Sequence, residues 1–349
     1  MTPSTHAPSD ATTDLRHVLH APDLGDTVWQ TLLHAAVEYR MTDVRTDAAA
    51  GKTLGLLFFN PSLRTRTSME VAAAHLGADT TTLTPGEGTW DLAWTDGAVM
   101  DGAAAEHVRE AFGVLSRYHD ALGVRVFASG TDYAADKRDA LIRRVAEVAS
   151  VPVINLESAW AHPCQAVSDA ALLHDRFDGH PAGRDFVLAW THHPKALPMA
   201  VPNSTVQMAA RCGMNVTVAR PDSHALDDDV MADAASLAAP HGATVTATDD
   251  LDAAVTDADV VYAKSWGGPM VYTDPDREAE IRTQARDWRI TQERMARTDD
   301  GAFMHCLPVR RNVVVDDAVM DGPHAAHLDQ AEYRLHAQKA LLDYVWSLD

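Results

Sequence analysis

The feature that most constrains the fold is a repeated alternation, in which short apolar runs are separated by stretches with helical periodicity. Runs over 53–59, 80–83, 122–127 and 151–156 predict strands in the first half, and runs over 186–190, 215–219, 244–248, 260–263 and 302–306 predict them in the second. Between them, 27–40, 64–76, 104–118 and 138–149 read as helices, and a long one is expected over 328–346. Short apolar strands alternating with helices indicate parallel sheets covered on both faces. The expected fold class is therefore α/β, with two domains, each a parallel β-sheet flanked by helices. A chain of 349 residues can hold two such cores. We expect a first domain over 14–165, completed by the terminal helix over 330–349, and a second over 166–329. Residues 1–13, polar throughout, are expected to be a disordered tail.

Charge narrows the range of partners. Against 29 Lys and Arg stand 50 Asp and Glu, a formal net charge of −21. No basic face large enough for nucleic acid survives that balance. Lysine occurs only at positions 52, 137, 195, 264 and 339, so an anionic ligand would need cations concentrated locally. An acidic, lysine-poor chain is shared by proteins of salt-loving organisms and by products of GC-rich genomes. No apolar run is long enough to span a bilayer, and the opening segment lacks the layout of a signal peptide. Three scattered cysteines, Cys164, Cys212 and Cys306, argue against a disulfide framework. The expectation is a cytoplasmic protein without a membrane partner.

In parallel α/β folds, ligands bind beyond the carboxyl ends of the strands, and each polar cluster of this chain follows a predicted strand. After the run ending at Phe59 comes Asn60-Pro61-Ser62-Leu63-Arg64-Thr65-Arg66. A helix beginning near Arg64 offers unpaired N–H groups and a positive dipole end, and two guanidinium forks suit phosphate. Read alone, the same residues also fit a capped helix with two solvated arginines. Arg125 ends another strand. His162-Pro163-Cys164-Gln165 opens a helix, with proline in its first turn. Beside a carbonyl substrate, a histidine donor and an amide can polarise the C=O and orient an NH2 group. His162 and Cys164 lack partners at zinc spacing. Lys264 ends a buried strand, placed either to reach solvent or to meet a carboxylate. His305-Cys306-Leu307-Pro308-Val309-Arg310-Arg311-Asn312 ends the last strand, and Glu332-Tyr333-Arg334 opens the final helix.

Taken together and in this order, these motifs resemble the aspartate/ornithine carbamoyltransferase family, over nearly the whole chain from about 15 to 344. The resemblance implies that Ser62, Leu63, Arg64, Thr65 and Arg66 hold the phosphate of carbamoyl phosphate. It implies that Arg125, His162 and Gln165 hold the carbamoyl group, with Cys306, Leu307 and Arg334 completing the pocket. Arg64, Arg125, His162 and Cys306 are the expected catalytic residues. No Ser-Met-Gly loop of the ornithine type is present. Tyr262-Ala263-Lys264, the loop at Trp90 and Leu307-Pro308-Val309-Arg310-Arg311-Asn312 are similar to the branch acting on N-acylated ornithine. Trp90, Ala105, Glu157, Asn203, Lys264 and Arg310 are then the expected acceptor residues. An acylated α-nitrogen is neutral, so such a site needs cations for carboxylates and no acid for an ammonium.

Within that branch the resemblance favours N-succinyl-L-ornithine, with N-acetyl-L-ornithine the alternative. Ala105 stands where acetyl enzymes carry a glutamate, and Val314 where they carry a lysine. The run 197–204 and the gap between Glu157 and His162 lean the same way. Plain ornithine, or a catalytically silent phosphate-binding protein, is less favoured. The resemblance further implies a role in arginine biosynthesis, no metal or organic cofactor, and a homotrimer in which Trp90 reaches a neighbour's pocket.

Overall fold

The computed structural model describes residues 15–348; the tail expected over 1–13 lies outside the described residues. Eleven strands follow in chain order: β1 (Thr53–Phe58), β2 (Asp79–Leu83), β3 (Leu92–Ala93), β4 (Glu106–His107), β5 (Ala121–Arg125), β6 (Val153–Glu157), β7 (Asp185–Trp190), β8 (Asn215–Ala219), β9 (Val245–Thr248), β10 (Val260–Lys264) and β11 (Ala302–Met304). They form a four-stranded sheet of order β2-β1-β5-β6, a five-stranded sheet of order β11-β10-β7-β8-β9, and the small pair β3-β4. Every ladder is parallel. The α/β class with two parallel sheets is as expected, because the inner strands β5 and β10, and the edge strand β6, are buried at every position and require cover on both faces. Among the described residues no helix is long and apolar enough to cross a membrane.

Two helices join the sheets. Pro163–Arg176 is buried from Pro163 through Leu173, as a helix packed on all sides must be. The C-terminal helix His327–Trp346 packs on Asp26–Thr42, Arg64–His75 and Pro163–Arg176, so the chain's end returns to the first sheet. One core cluster runs from Leu54 and Leu56 of β1 through Val167 and Ala171 to Phe186 and Tyr262 of the second sheet.

Among the boundaries that differ from the sequence reading, three have a clear local reason. The helix expected over 104–118 begins at Val108, because Glu106 and His107 pair with Leu92 and Ala93 and the His107 side chain caps the Arg109 N–H. The helix expected over 138–149 begins at Ala140, because Asp139 takes a left-handed φ of 54°, and a short helix that the sequence reading did not give, Tyr133–Lys137, precedes it. The last strand stops at Met304, because the His305 N–H leaves the ladder for the Gln330 side chain at 2.8 Å.

Candidate active site

A cavity of about 440 Å³ lies where the carboxyl ends of the two sheets face each other. Its walls are the segments following β1, β5, β6, β7, β10 and β11, together with Arg334 of the last helix. Ser62, Leu63, Arg64, Thr65, Arg125, Glu157, His162, Gln165, Lys264, Cys306, Leu307 and Arg334 all line it. Residues from every polar cluster that follows a predicted strand therefore meet in one space, while the Trp90 loop and Ala105 lie outside it.

The first wall is the start of the helix Arg64–His75. The Ser62 hydroxyl accepts the Thr65 N–H at 3.2 Å, fixing the turn while other N–H groups of that end stay open to an anion. Thr65 is buried, and its hydroxyl accepts a bond of 3.0 Å from Arg334 Nη2. The other fork nitrogen, Nη1, donates to Gln165 Oε1 at 2.7 Å. Burial lowers the proton affinity of Arg64 and of Arg334, with Arg125 adding to the effect in both. Both stay cationic, since an arginine starts from so high a value. The cavity thus concentrates three guanidiniums in a strongly acidic chain.

Arg125 and Glu157 form a close, buried ion pair. The geometry arises from an irregularity in the β5–β6 ladder, where Val124 pairs with Asn155 but Arg125 with Glu157. The extra residue turns Glu157 towards the cavity, and Glu157 takes a φ of 146° that side chains rarely adopt. The Arg125 guanidinium also lies over the Phe127 ring at 4.4 Å. His162 sits beside this pair, its Nε2 3.6 Å from Glu157 Oε2. Burial, then the nearby Arg334 and Arg125, hold its imidazole well below the ordinary value, so it is neutral. The buried atoms Arg125 Nε, Arg334 Nε and His162 Nδ1 have no hydrogen-bond partner among the described residues.

Across the cavity, Lys264 is buried and donates to the Ser265 carbonyl at 2.8 Å. Burial pushes the Cys306 thiol up, which keeps it protonated and makes it a wall rather than a nucleophile. His193, not singled out from the sequence, also lines the cavity; it follows β7 directly, so the strand-end rule that found Lys264 also applies to it.

Five of the expected residues do not line the cavity. Arg66 points away and pairs with Glu70 at 3.1 Å on the exposed side of its helix. Asn203 is buried and held by the Trp160 carbonyl at 3.2 Å. Arg310 is exposed and donates to His193 Nε2 at 3.0 Å, touching the site through that imidazole. Trp90 is 57% exposed and bonds Glu106 at 2.6 Å, beside a separate apolar cavity. Ala105 is exposed on the same side.

Comparison with known proteins gives this arrangement its family. The model of the aspartate/ornithine carbamoyltransferase carbamoyl-P binding domain matches residues 16–175, and that of the Asp/Orn binding domain matches 199–345. The chain belongs to the aspartate/ornithine carbamoyltransferase family. It is 41% identical to the N-acetylornithine carbamoyltransferase of Xanthomonas campestris pv. campestris, over 94% of this chain and 97% of that one. It is 32% identical to the N-succinylornithine carbamoyltransferase of Bacteroides thetaiotaomicron, over 89% and 92%. Among solved structures, an N-acetyl-L-ornithine transcarbamylase with a glutamate replaced by alanine, complexed with carbamyl phosphate and N-succinyl-L-norvaline, is similar with a TM-score of 0.91 and 41% identity, covering 95% of this chain and all of that one. The expected order, succinyl ahead of acetyl, is not the order of these relatives.

Proposed function

We propose that this carbamoyltransferase moves the carbamoyl group of carbamoyl phosphate to the δ-amine of an N-acyl-L-ornithine, with N-acetyl-L-ornithine the acceptor that its relatives favour. The observation that carries the reading is the single cavity joining the Ser62–Thr65 helix start, the Arg64/Arg125/Arg334 cluster, neutral His162 and buried Lys264. Phosphate is held at the helix start by Ser62, Leu63, Arg64 and Thr65. Arg125 and His162 donate to the carbamoyl oxygen, and the free lone pair of Gln165 Oε1 accepts from the carbamoyl NH2. The unprotonated amine attacks the carbamoyl carbon, negative charge develops on its oxygen, and the C–O bond to phosphate breaks. The departing phosphate takes the proton lost by the amine, giving N-acylcitrulline and phosphate. Catalysis is then positioning and preorganised charge. Lys264 faces the acceptor's carboxylate, with Arg310 reaching it past His193, and Glu157 accepts from the δ-amine. In this reading 14–165 with the terminal helix is the carbamoyl-phosphate unit and 166–329 the acceptor unit. A homotrimer brings Trp90 and Ala105 to a neighbour's cavity.

A second reading, N-succinyl-L-ornithine, has one specific observation in its favour. Ala105 is small and uncharged where the resemblance gives acetyl enzymes a glutamate, and replacing one glutamate of N-acetyl-L-ornithine transcarbamylase by alanine is compatible with a succinylated ligand. Whole-chain identity, 41% against 32%, favours acetyl. Phosphate release from carbamoyl phosphate, assayed with acetyl-, succinyl- and unmodified L-ornithine, tests both. Fastest turnover is expected with N-acetyl-L-ornithine. A higher kcat/KM for the succinyl substrate would install the second reading, and turnover with none of the three would sink the enzymatic one.

A further inference from the structure

One buried carboxylate beneath the cavity has no part in the roles described so far. Asp169 lies one helical turn beyond Gln165 and is fully buried. Its Oδ1 accepts Gln165 Nε2 at 2.7 Å and Gln330 Nε2 at 2.9 Å. Its Oδ2 accepts the Tyr262 hydroxyl at 3.0 Å. Each of these donors leads to a different wall. Gln165 faces the carbamoyl end. Tyr262 shares a face of β10 with Lys264, two residues on. Gln330 Oε1 accepts the His305 N–H at 2.8 Å, and His305 Nδ1 accepts the Leu307 N–H at 2.8 Å.

We propose that Asp169 is a positioning residue for carbamoyl transfer, one that fixes which end of the Gln165 amide faces the cavity and ties three of its walls to a single carboxylate. The inference rests on the function proposed above. An amide has a donor end and an acceptor end. Gln165 lies between Arg334, which can only donate, and ionised Asp169, which can only accept, so one orientation satisfies both. That orientation leaves a lone pair of Oε1 for the substrate's NH2. Burial raises Asp169 to about 6 while its three donors and Arg334 oppose the rise, so the acceptor-only form prevails at pH 7.5.

The test compares steady-state kinetics of wild type, Asp169→Ala and Asp169→Asn, together with inhibition by inorganic phosphate. Alanine leaves the Gln165 NH2 unpaired and is expected to lower kcat about 10- to 100-fold and to raise KM for carbamoyl phosphate. The inhibition constant for phosphate, which needs only the helix start and Arg64, is expected to change by less than about 2-fold. Asparagine meets three donors with a group that accepts at one end only, and is expected to lose about 3- to 10-fold. If alanine does not fold, Asp169→Asn in a Gln165→Ala background carries the test. Coupling through Gln165 predicts less than about a 2-fold further loss there. Wild-type kinetics in Asp169→Ala, a proportional rise in the phosphate constant, or equal asparagine losses in both backgrounds would overturn the proposal. Absence of wild-type turnover would remove the reaction itself, and this role with it.

Discussion

Arg334 and Lys264 are both buried cations facing the same cavity, yet they are held in different ways. Arg334 is clamped at both fork nitrogens, by Thr65 on one side and Gln165 on the other, and Gln165 is clamped in turn by Asp169. Among the described residues the Lys264 side chain bonds only to the carbonyl of the next residue, and its neighbour at the rim, Arg310, is exposed. The wall expected to hold the donor is an interlocked set of side chains from distant parts of the chain. The wall expected to hold the acceptor is open, and Trp90 and Ala105 lie away from it. A reaction run by positioning needs a rigid electrophile site, whereas acceptor choice can rest on a few adjustable contacts at the rim.

The most severe way to test that contrast is to remove a donor-wall cation. Arg64→Ala takes away a half-buried guanidinium that lines the cavity and is proposed to hold phosphate, and loss of one charge-assisted, preorganised donor costs about 10²- to 10³-fold in turnover. We expect kcat/KM to fall by about 10³ or more, with an unchanged melting temperature. A loss under about 10-fold would mean that the helix start alone holds the phosphate.

Acid compares the two walls through stability. Burial holds His162 on the donor side and His305 after β11 well below the ordinary imidazole value of 6.5. On unfolding both regain ordinary affinity, so below about pH 6.5 the unfolded chain binds more protons and stability falls as pH drops. Each imidazole contributes up to about 1.4 kcal/mol per pH unit. Asp169, raised to about 6, has the opposite sign and recovers part of the loss as pH falls below that value. Urea unfolding at pH 7.5 and 5.5 should show the net loss, and His162→Gln and His305→Gln should each flatten it. An unchanged slope in either variant would mean that its imidazole is not held neutral.

Ala105→Glu probes the rim. If the acyl end of the acceptor comes near residue 105 of a neighbouring subunit, the new carboxylate repels succinate's free carboxylate and leaves acetyl untouched. We expect the succinyl/acetyl ratio of kcat/KM to fall about 10-fold, or about 1.4 kcal/mol, without a change in KM for carbamoyl phosphate. An unaltered ratio would separate this surface from the acceptor.

Much of the cavity was legible because strand ends mark it. The apolar runs before Asn60, Arg125 and Lys264 are long enough to read, and each delivers polar residues to the same edge. Thr191-His192-His193 follows β7 in the same way, so strand ends mark His193 as well, although it belongs to none of the motifs. Asp169 was not legible, because an aspartate inside a helix reads as a solvated position; its partners Tyr262 and Gln330 are 93 and 161 residues away. The left-handed turn at Asp139 was hidden for a similar reason. Helical periodicity resumes beyond it, and the turn is held by long-range partners, with Ser158 and His20 both bonded to Asp139.

Arg66 is where the sequence and the geometry part most clearly, and it gives the smallest expected effect. The resemblance implies that a second fork, two residues after Arg64, faces the same anion. The helix has already begun at Arg64, however, and two positions in a helix are about 200° apart. The Arg66 side chain therefore points to solvent and pairs with Glu70 one turn on. An exposed i,i+4 pair of this kind contributes about 0.3–0.5 kcal/mol. We expect Arg66→Ala to lower kcat/KM by less than about 3-fold, far short of Arg64→Ala, and to lower the melting temperature slightly. A loss matching that of Arg64→Ala would mean that Arg66 leaves Glu70 and swings inward when phosphate binds. The donor wall would then be assembled by its ligand, and its contrast with the acceptor side would disappear.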